Sequence, residues 1–252
     1  GLPPLPAPGA LETFEQARDV FKEANACYNR AKDFYLLDGF VTDHVDMLRR
    51  QSQLYRLLAG FESDDKRKQA MHTRRINLLE PLLSVLNKKV FMDFHKQLSY
   101  EVAETFSSIV DIKIGRIEAK KTPKKAELEK CNDFVDKAIS NFQYFADLYM
   151  NDINPETKEE NSIPKEQLGP FLRSHFHIAR LHGKKLYKDS KLAVASLSRS
   201  VLKYEWLLAR ARRELDRVGD WGLFQQEYDI CRQMVELLPE KINRMHHGQK
   251  AL

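Results

Sequence analysis

Residues 31–82 read AKDFYLLDGFVTDHVDMLRRQSQLYRLLAGFESDDKRKQAMHTRRINLLEPL. The stretch divides into three helical pieces with two punctuation marks between them. Asp38-Gly39 is expected to end the first piece, because glycine takes a left-handed C-terminal cap without steric cost. Thr42 is placed to cap the second with its hydroxyl, and Asp43 falls in that helix's first turn, where a negative charge is favoured. Ser63 is placed to cap the third, with Asp64 and Asp65 in its first turn. Helix, short turn, helix, short turn, helix within about fifty residues is the pattern of stacked helical hairpins.

Outside this stretch, apolar spacing of three and four predicts about eight helices in all. The first spans 11–37, with Phe14, Ala17, Phe21, Ala24, Tyr28, Ala31 and Tyr35 on one stripe. The second spans 43–61. The third spans 64–86, with Pro81 expected to kink or end it. Asn87 is a candidate cap for a fourth, running to 119. Thr122-Pro123 is a strong start signal for a fifth, which reaches Tyr149. A sixth starts near Pro164 or Pro170 and runs to 187, a seventh spans 190–218, and an eighth follows Asp220 to 247. No window alternates with period two, so no strand is assigned. Two successive pairs, 100–117 with 126–149 and 172–187 with 191–215, read as repeat-like hairpins. Each has small residues (Ala103, Ala138; Ala179, Ala195) where helices would approach closely. The expected fold class is all-α: an irregular helical solenoid of antiparallel helix hairpins, tetratricopeptide-like. Residues 1–10, with four prolines in the first eight positions, read as a proline-rich linker or an expression remnant. Residues 11–252 read as one helical domain.

Composition bounds the function. The chain has 252 residues, 42% hydrophobic and 31% charged, with only ten glycines and ten prolines and a formal net charge of +5. That charge permits acidic partners without demanding them. No apolar run approaches the roughly 18 residues of a membrane span, and no secretory leader is expected. Cys27, Cys131 and Cys231 are odd in number and far apart, so they read as reduced, buried thiols on helices in a reducing compartment.

Candidate chemistry is sparse. His175 and His177 point to nearly opposite sides of one helix and cannot share a metal, while His175 and His182 share a face without a carboxylate at helical spacing. His246-His247 reads as solvated. Asp152, Asn154 and Glu156 mimic the start of a calcium loop, but Thr157 and Ile163 stand where that loop needs Gly and Glu. Nothing resembles a phosphate-binding loop or a nucleophile elbow. No catalytic residue, metal ligand or cofactor site is assigned, no small-molecule substrate is expected, and the chain reads as a non-enzyme. Two basic clusters invite a nucleic-acid reading: Lys120, Lys121, Lys124 and Lys125; and Arg210, Arg212, Arg213 and Arg217. Neither is interleaved with stacking aromatics, so each reads as a solvated helix face or helix end, and no nucleic-acid partner is assigned. A third cluster, Lys66, Arg67, Lys68, Arg74 and Arg75, reads as an exposed helix face with internal ion pairs, with a protein contact as its alternative.

The segments FYLLDGFVTDH (34–44), LAGFESD (58–64) and MHTRRINLLEPL (71–82) resemble the C-terminal half of the kinesin-family-binding proteins. PFLRSHFHIARLHGK (170–184) and MVELLPEKINRM (234–245) carry the likeness further, so that it spans about 14–245. It is patchy over 111–166 and after 203. The resemblance implies a cytoplasmic, cytoskeleton-associated scaffold of tetratricopeptide-like repeats. Such a scaffold binds kinesin motor domains and blocks their attachment to microtubules, and so regulates microtubule-based transport and axonal microtubule organisation. Microtubules are acidic, so the motor face that meets them is basic, and an inhibitor gripping that face should present acidic and polar groups. Asp38, Thr42, Asp43, His44, Asp46, Glu62, Asp64 and Asp65, the densest acidic stretch on helix ends, are the expected contact residues. Tyr35, Phe40 and Tyr55 are assigned to core packing. The alternative is a generic tetratricopeptide-type adaptor gripping a short peptide, for which Arg173, Arg180 and Lys184 could supply one wall.

Overall fold

The computed structural model describes residues 11–150 and 163–248, and among these the chain is all-α with no strand. Among the described residues nine α-helices follow one another: α1 (Phe14–Phe34), α2 (Val41–Phe61), α3 (Asp65–Leu79), α4 (Leu82–Val85), α5 (Met92–Glu118), α6 (Lys125–Met150), α7 (Lys165–Lys184), α8 (Ser190–Val218) and α9 (Gln225–His246), with a 3-10 turn at Trp221–Leu223 before the last. The described residues gather into two compact units divided between Ile112 and Lys113, inside α5. The calcium-like stretch 152–157 and residues 1–10 lie outside the described residues, and Ile163 is buried.

Helix ends follow local chemistry, with corrections to the sequence reading. α1 opens on a capping box: Thr13 Oγ1 accepts the Gln16 N–H and the Gln16 side chain accepts the Thr13 N–H. Gly39 is not left-handed. The glycines at positive φ among the described residues are Gly219, which ends α8 in the left-handed region, and Gly248. The α1–α2 turn instead closes with ordinary backbone bonds from Gly39 and Phe40 to the Leu36 carbonyl. Phe40, not Thr42, occupies the N-cap of α2 and makes no side-chain cap, while Asp64, not Ser63, caps α3 by accepting the Arg67 N–H at 2.8 Å. Pro81 splits the expected third helix into α3 and the single turn α4, because proline has no N–H to continue the ladder. Asn87 opens a turn ahead of α5 rather than capping it.

In the first unit α1, α2 and α3 run antiparallel in succession. Gln51 of α2 reaches Asn25 and Asn29 of α1, and Ser52 of α2 lies against Arg75 of α3. Val45, Leu48, Leu58, Ile76, Leu79, Leu98, Val102 and Phe106 fill the apolar interior. A polar knot sits beside them. The Ser52 hydroxyl donates to Glu101 of α5 at 2.6 Å, and the buried Arg75 guanidinium donates to Ser52 Oγ at 3.1 Å and pairs with Glu101 at 3.3 Å. Arg75 was expected on a solvated face. Its burial is tolerable because Glu101 supplies the opposite charge.

In the second unit α7 packs against α6 and α8, and α8 against α9. The α7–α8 hairpin expected from sequence is present, and its close approach has a visible cause. Ser200 Oγ donates to the Ala179 carbonyl, Ser196 Oγ donates to the His182 carbonyl, and a Cβ on Gly183 would come within 3.2 Å of Ser200 Oγ. Ala179 is buried as expected, but Ala195 is exposed and the two serines make the seam in its place. Phe171, Leu172, Tyr204, Leu207, Leu215, Phe224 and Cys231 form the interior. Arg210, expected on a solvated face, is buried and paired with buried Glu214 at 3.1 Å, and Arg217 clasps the same carboxylate and the Ile163 carbonyl. Cys131 and Cys231 are buried and outside any disulfide, but Cys27 is exposed.

Two stability predictions follow from the buried polar groups. Arg75→Ala leaves Glu101 with only the Ser52 hydroxyl and a long 4.0 Å pairing to Arg49 and should cost about 3 kcal/mol in chemical denaturation, whereas Arg75→Met with Glu101→Gln should recover much of that loss. A loss below about 1 kcal/mol in the single variant would show the knot to be incidental. Burial holds the imidazoles of His72 and His177 down to about 4 and that of His175 down to about 3, reinforced by neighbouring Arg and Lys charges. The unfolded chain binds these protons near pH 6.5 and the folded chain does not, so stability is full above that pH and falls as pH drops from about 6.5 toward 4. Denaturation midpoints should therefore decline from pH 7 to pH 5, and a flat profile would contradict these burials.

Candidate partner-binding surface

The α1–α2 turn presents an aromatic cluster to solvent. Phe34, Tyr35 and Phe40 sit with ring centroids 5.0–5.5 Å apart, in tilted and edge-on arrangements. Phe34 is 66% exposed, Leu36 54% and Phe40 42%. Phe40 was expected in the core. It stands in the turn after α1, as the N-cap of α2, and α1 itself buries only Ala17. Exposed aromatics held rigidly against one another are the usual anchors of protein interfaces.

The turn is fixed from below. His44 Nδ1 donates to the Tyr35 carbonyl at 2.8 Å, across nine residues, while the His44 and Phe40 backbones continue the hydrogen-bond ladder. Asp38 and Asp43 are exposed around the rings, with Thr42 between them in the first turn of α2. Asp43 faces the positive end of the α2 dipole. Asp46, one turn on, pairs with Arg49 at 3.6 Å.

The remaining acidic residues lie at the other end of α2. Twenty-one residues of helix separate the two groups by about 30 Å. Glu62 is buried, and burial alone would raise its carboxyl. The Asp64 N–H at 2.8 Å and a two-pronged pairing with Arg67 outweigh that and hold it below the ordinary carboxylate range. Glu62 is therefore occupied in joining α2 to α3. Asp64 is the α3 cap, and Asp65 is exposed in its first turn. The eight expected contact residues thus form two separate groups. Asp38, Thr42, Asp43 and His44 gather at the aromatic turn with Asp46 one helical turn away, while Glu62, Asp64 and Asp65 build a helix junction.

A family model described as the KIF-1 binding protein C terminal matches residues 8–245. The chain belongs to this family. Curated relatives called KIF-binding protein are 31% identical over 232 residues in Gallus gallus, 30% over 231 in Homo sapiens and 29% over 234 in Dictyostelium discoideum, covering 90–92% of this chain. The chain spans 36–38% of the length of these KIF-binding proteins. Among solved structures, a de novo designed helical repeat protein matches at 13% identity with a TM-score of 0.39, covering 93% of this chain and 97% of that one. That likeness is too distant to bear on fold or function.

Residues 34–44, one of the segments that carry the resemblance, form the aromatic turn itself. The signal that could have revealed its exposure is the pair Phe34 and Phe40 bracketing Asp38-Gly39, since a tight polar turn leaves its flanking rings little to pack against. The alternative peptide-gripping wall fares differently. Arg173 donates to Glu227 at 2.8 Å and to the Leu223 carbonyl, so it ties α7 to the start of α9. Among the described residues no group of His, Cys, Asp and Glu is arranged to hold a metal, and no helix is long and apolar enough to cross a membrane.

Proposed function

We propose that this chain is a non-enzymatic binding segment that grips kinesin motor domains through the α1–α2 turn and keeps them from attaching to microtubules. The observation that carries this reading is the exposed Phe34–Tyr35–Phe40 cluster flanked by Asp38 and Asp43, in a chain whose family is defined by proteins named for binding KIF partners. The surface suits a basic partner on two counts. Carboxylates at its rim attract lysine and arginine, and ring faces accept the same cations by cation–π contact. A motor face built to meet acidic microtubules has that character. Once such a face is occupied, docking on the track is blocked sterically and no turnover is required. On this reading the protein works in the cytoplasm in association with the cytoskeleton, and regulates microtubule-based transport and the organisation of axonal microtubules.

The test uses the chain, purified kinesin motor domains and microtubule co-sedimentation. Phe40→Ala should weaken motor binding by about tenfold or more, as loss of an interface anchor does. Asp38→Lys with Asp43→Lys should slow association and remove its salt dependence. Asp65→Lys, about 30 Å away along α2, should change neither. Motors should then remain on microtubules in the presence of the turn variants and be released by the parent and the Asp65 variant. Unchanged release by the turn variants, or an equal loss in the Asp65 variant, would remove the α1–α2 turn as the contact.

A further inference from the structure

A cavity of about 520 Å³ opens in the second unit, lined by α6, α7 and α8. The α6–α7 and α7–α8 pairs are each antiparallel, since Phe142 meets His177 while Tyr149 meets Phe171, and Ser196 meets His182 while Ser200 meets Ala179. Hence α6 and α8 run parallel on either side of α7, and the cavity is a groove floored by α7. His175 and His182, seven residues and about 10 Å apart, lie along that floor. Gln143 and Asp147 line the α6 wall, bonded to each other at 2.8 Å. The α8 wall supplies Arg199 and Lys203, together with Leu202 and Trp206, apolar side chains that are 64% and 40% exposed.

Three features of the groove lack counterparts within the chain. Arg199 and Lys203 have no ion-pair partner among the described residues, while the opposite wall offers one carboxylate, already bonded to Gln143. Leu202 and Trp206 present apolar surface to water beside those two charges. His175 is 94% buried, and neither ring nitrogen has a hydrogen-bond partner among the described residues. The Trp206 ring lies against it, with centroids 4.5 Å apart. Burial chiefly, and then the charges of Lys185, Lys203 and Arg199, hold the His182 imidazole below its ordinary value.

We propose that this groove is a docking site for an acidic peptide segment of a partner protein, with an apolar side chain seated on Leu202 and Trp206 and flanking carboxylates paired with Arg199 and Lys203. A neutral imidazole carries one donor and one acceptor, and so does a peptide group. A carboxylate supplies acceptors only and would leave half of His175 unanswered, so a peptide suits the floor better than a free carboxylate does. The indole must turn aside for His175 to be reached, which makes Trp206 the reporter of binding. This surface prefers the opposite charge to the α1–α2 turn, so it serves a second partner segment and goes beyond motor binding.

The probe is a capped synthetic peptide with one phenylalanine flanked on each side by two glutamates, titrated into a Trp221→Phe chain so that Trp206 is the only indole. A saturable change in Trp206 emission is expected. Arg199→Glu with Lys203→Glu should weaken it at least tenfold, and a lysine-flanked peptide should give none. Both residues are solvent-accessible side chains on α8, and an unchanged circular dichroism melt checks that the double variant folds. Motor binding by that variant should equal the parent's, which separates failure here from failure of the motor reading. The proposal is overturned by the absence of a saturable change, by equal binding of the lysine-flanked peptide, by equal binding when alanine replaces phenylalanine, or by complete competition from millimolar inorganic phosphate. Loss of motor binding in the groove variant would equally overturn it, by making the groove part of the motor contact.

Discussion

Helix α2 carries two buried polar residues side by side at its middle, and the first unit is organised around the bonds they make, although the Gln51 Oε1 has no partner among the described residues. Gln51 must answer to Asn25 and Asn29, and Ser52 to Glu101 and Arg75. Apolar packing alone lets a helix slide or rotate by a fraction of a turn at modest cost. A buried amide and a buried hydroxyl do not, because each unmade hydrogen bond costs on the order of 1–3 kcal/mol. The two residues point toward different neighbours, α1 on one side and α3 with α5 on the other, so together they fix both the rotation and the height of α2. The positions of its two ends follow. One end emerges at the aromatic turn and the other at the Glu62–Arg67–Asp64 junction.

That geometry explains why a continuous acidic run in sequence is not a continuous acidic surface. Between Asp46 and Glu62 the chain travels the length of a helix. The carboxylates at its far end are consumed by the turn into α3: Glu62 is buried under Arg67, and Asp64 holds a backbone N–H. Asp38 and Asp43 at the near end remain in solvent beside the exposed Phe34 and Phe40 rings. The same division of labour appears in the second unit, where buried Glu214 gathers Arg210 and Arg217 and leaves Arg199 and Lys203, further up α8, facing the groove.

The helices were legible in the sequence because they depend on local chemistry. Asp189 before α8, Gly219 after it and the proline break at Pro81 are each decided within a few residues. Burial was less legible, because it depends on which helices meet. Arg75 and Arg210 read as solvated among other basic residues, and only the carboxylates brought in from Glu101, 26 residues away, and from Glu214, one turn along α8, make their burial possible. Phe40 read as core from its sequence, but it stands in the turn between α1 and α2 as the N-cap of α2, and it is exposed there beside Phe34. Gly39 looked like a left-handed cap, but the turn closes through the Leu36 carbonyl without requiring positive φ. The α6–α8 groove had no signature in sequence at all, since its walls come from segments about fifty residues apart and only their parallel alignment on α7 creates it.

The two surfaces ask for opposite partners. An aromatic and acidic turn fits a basic face, and a groove edged by unpaired cations fits an acidic segment. The central claim is that the turn is where a motor domain is held. Amide hydrogen exchange of the chain, alone and saturated with a kinesin motor domain, tests it directly. The account predicts slowed exchange over residues 35–44, with the α2–α3 junction at 62–67 unchanged. Protection at 62–67, or none over 35–44 while the motor is demonstrably bound, would contradict it.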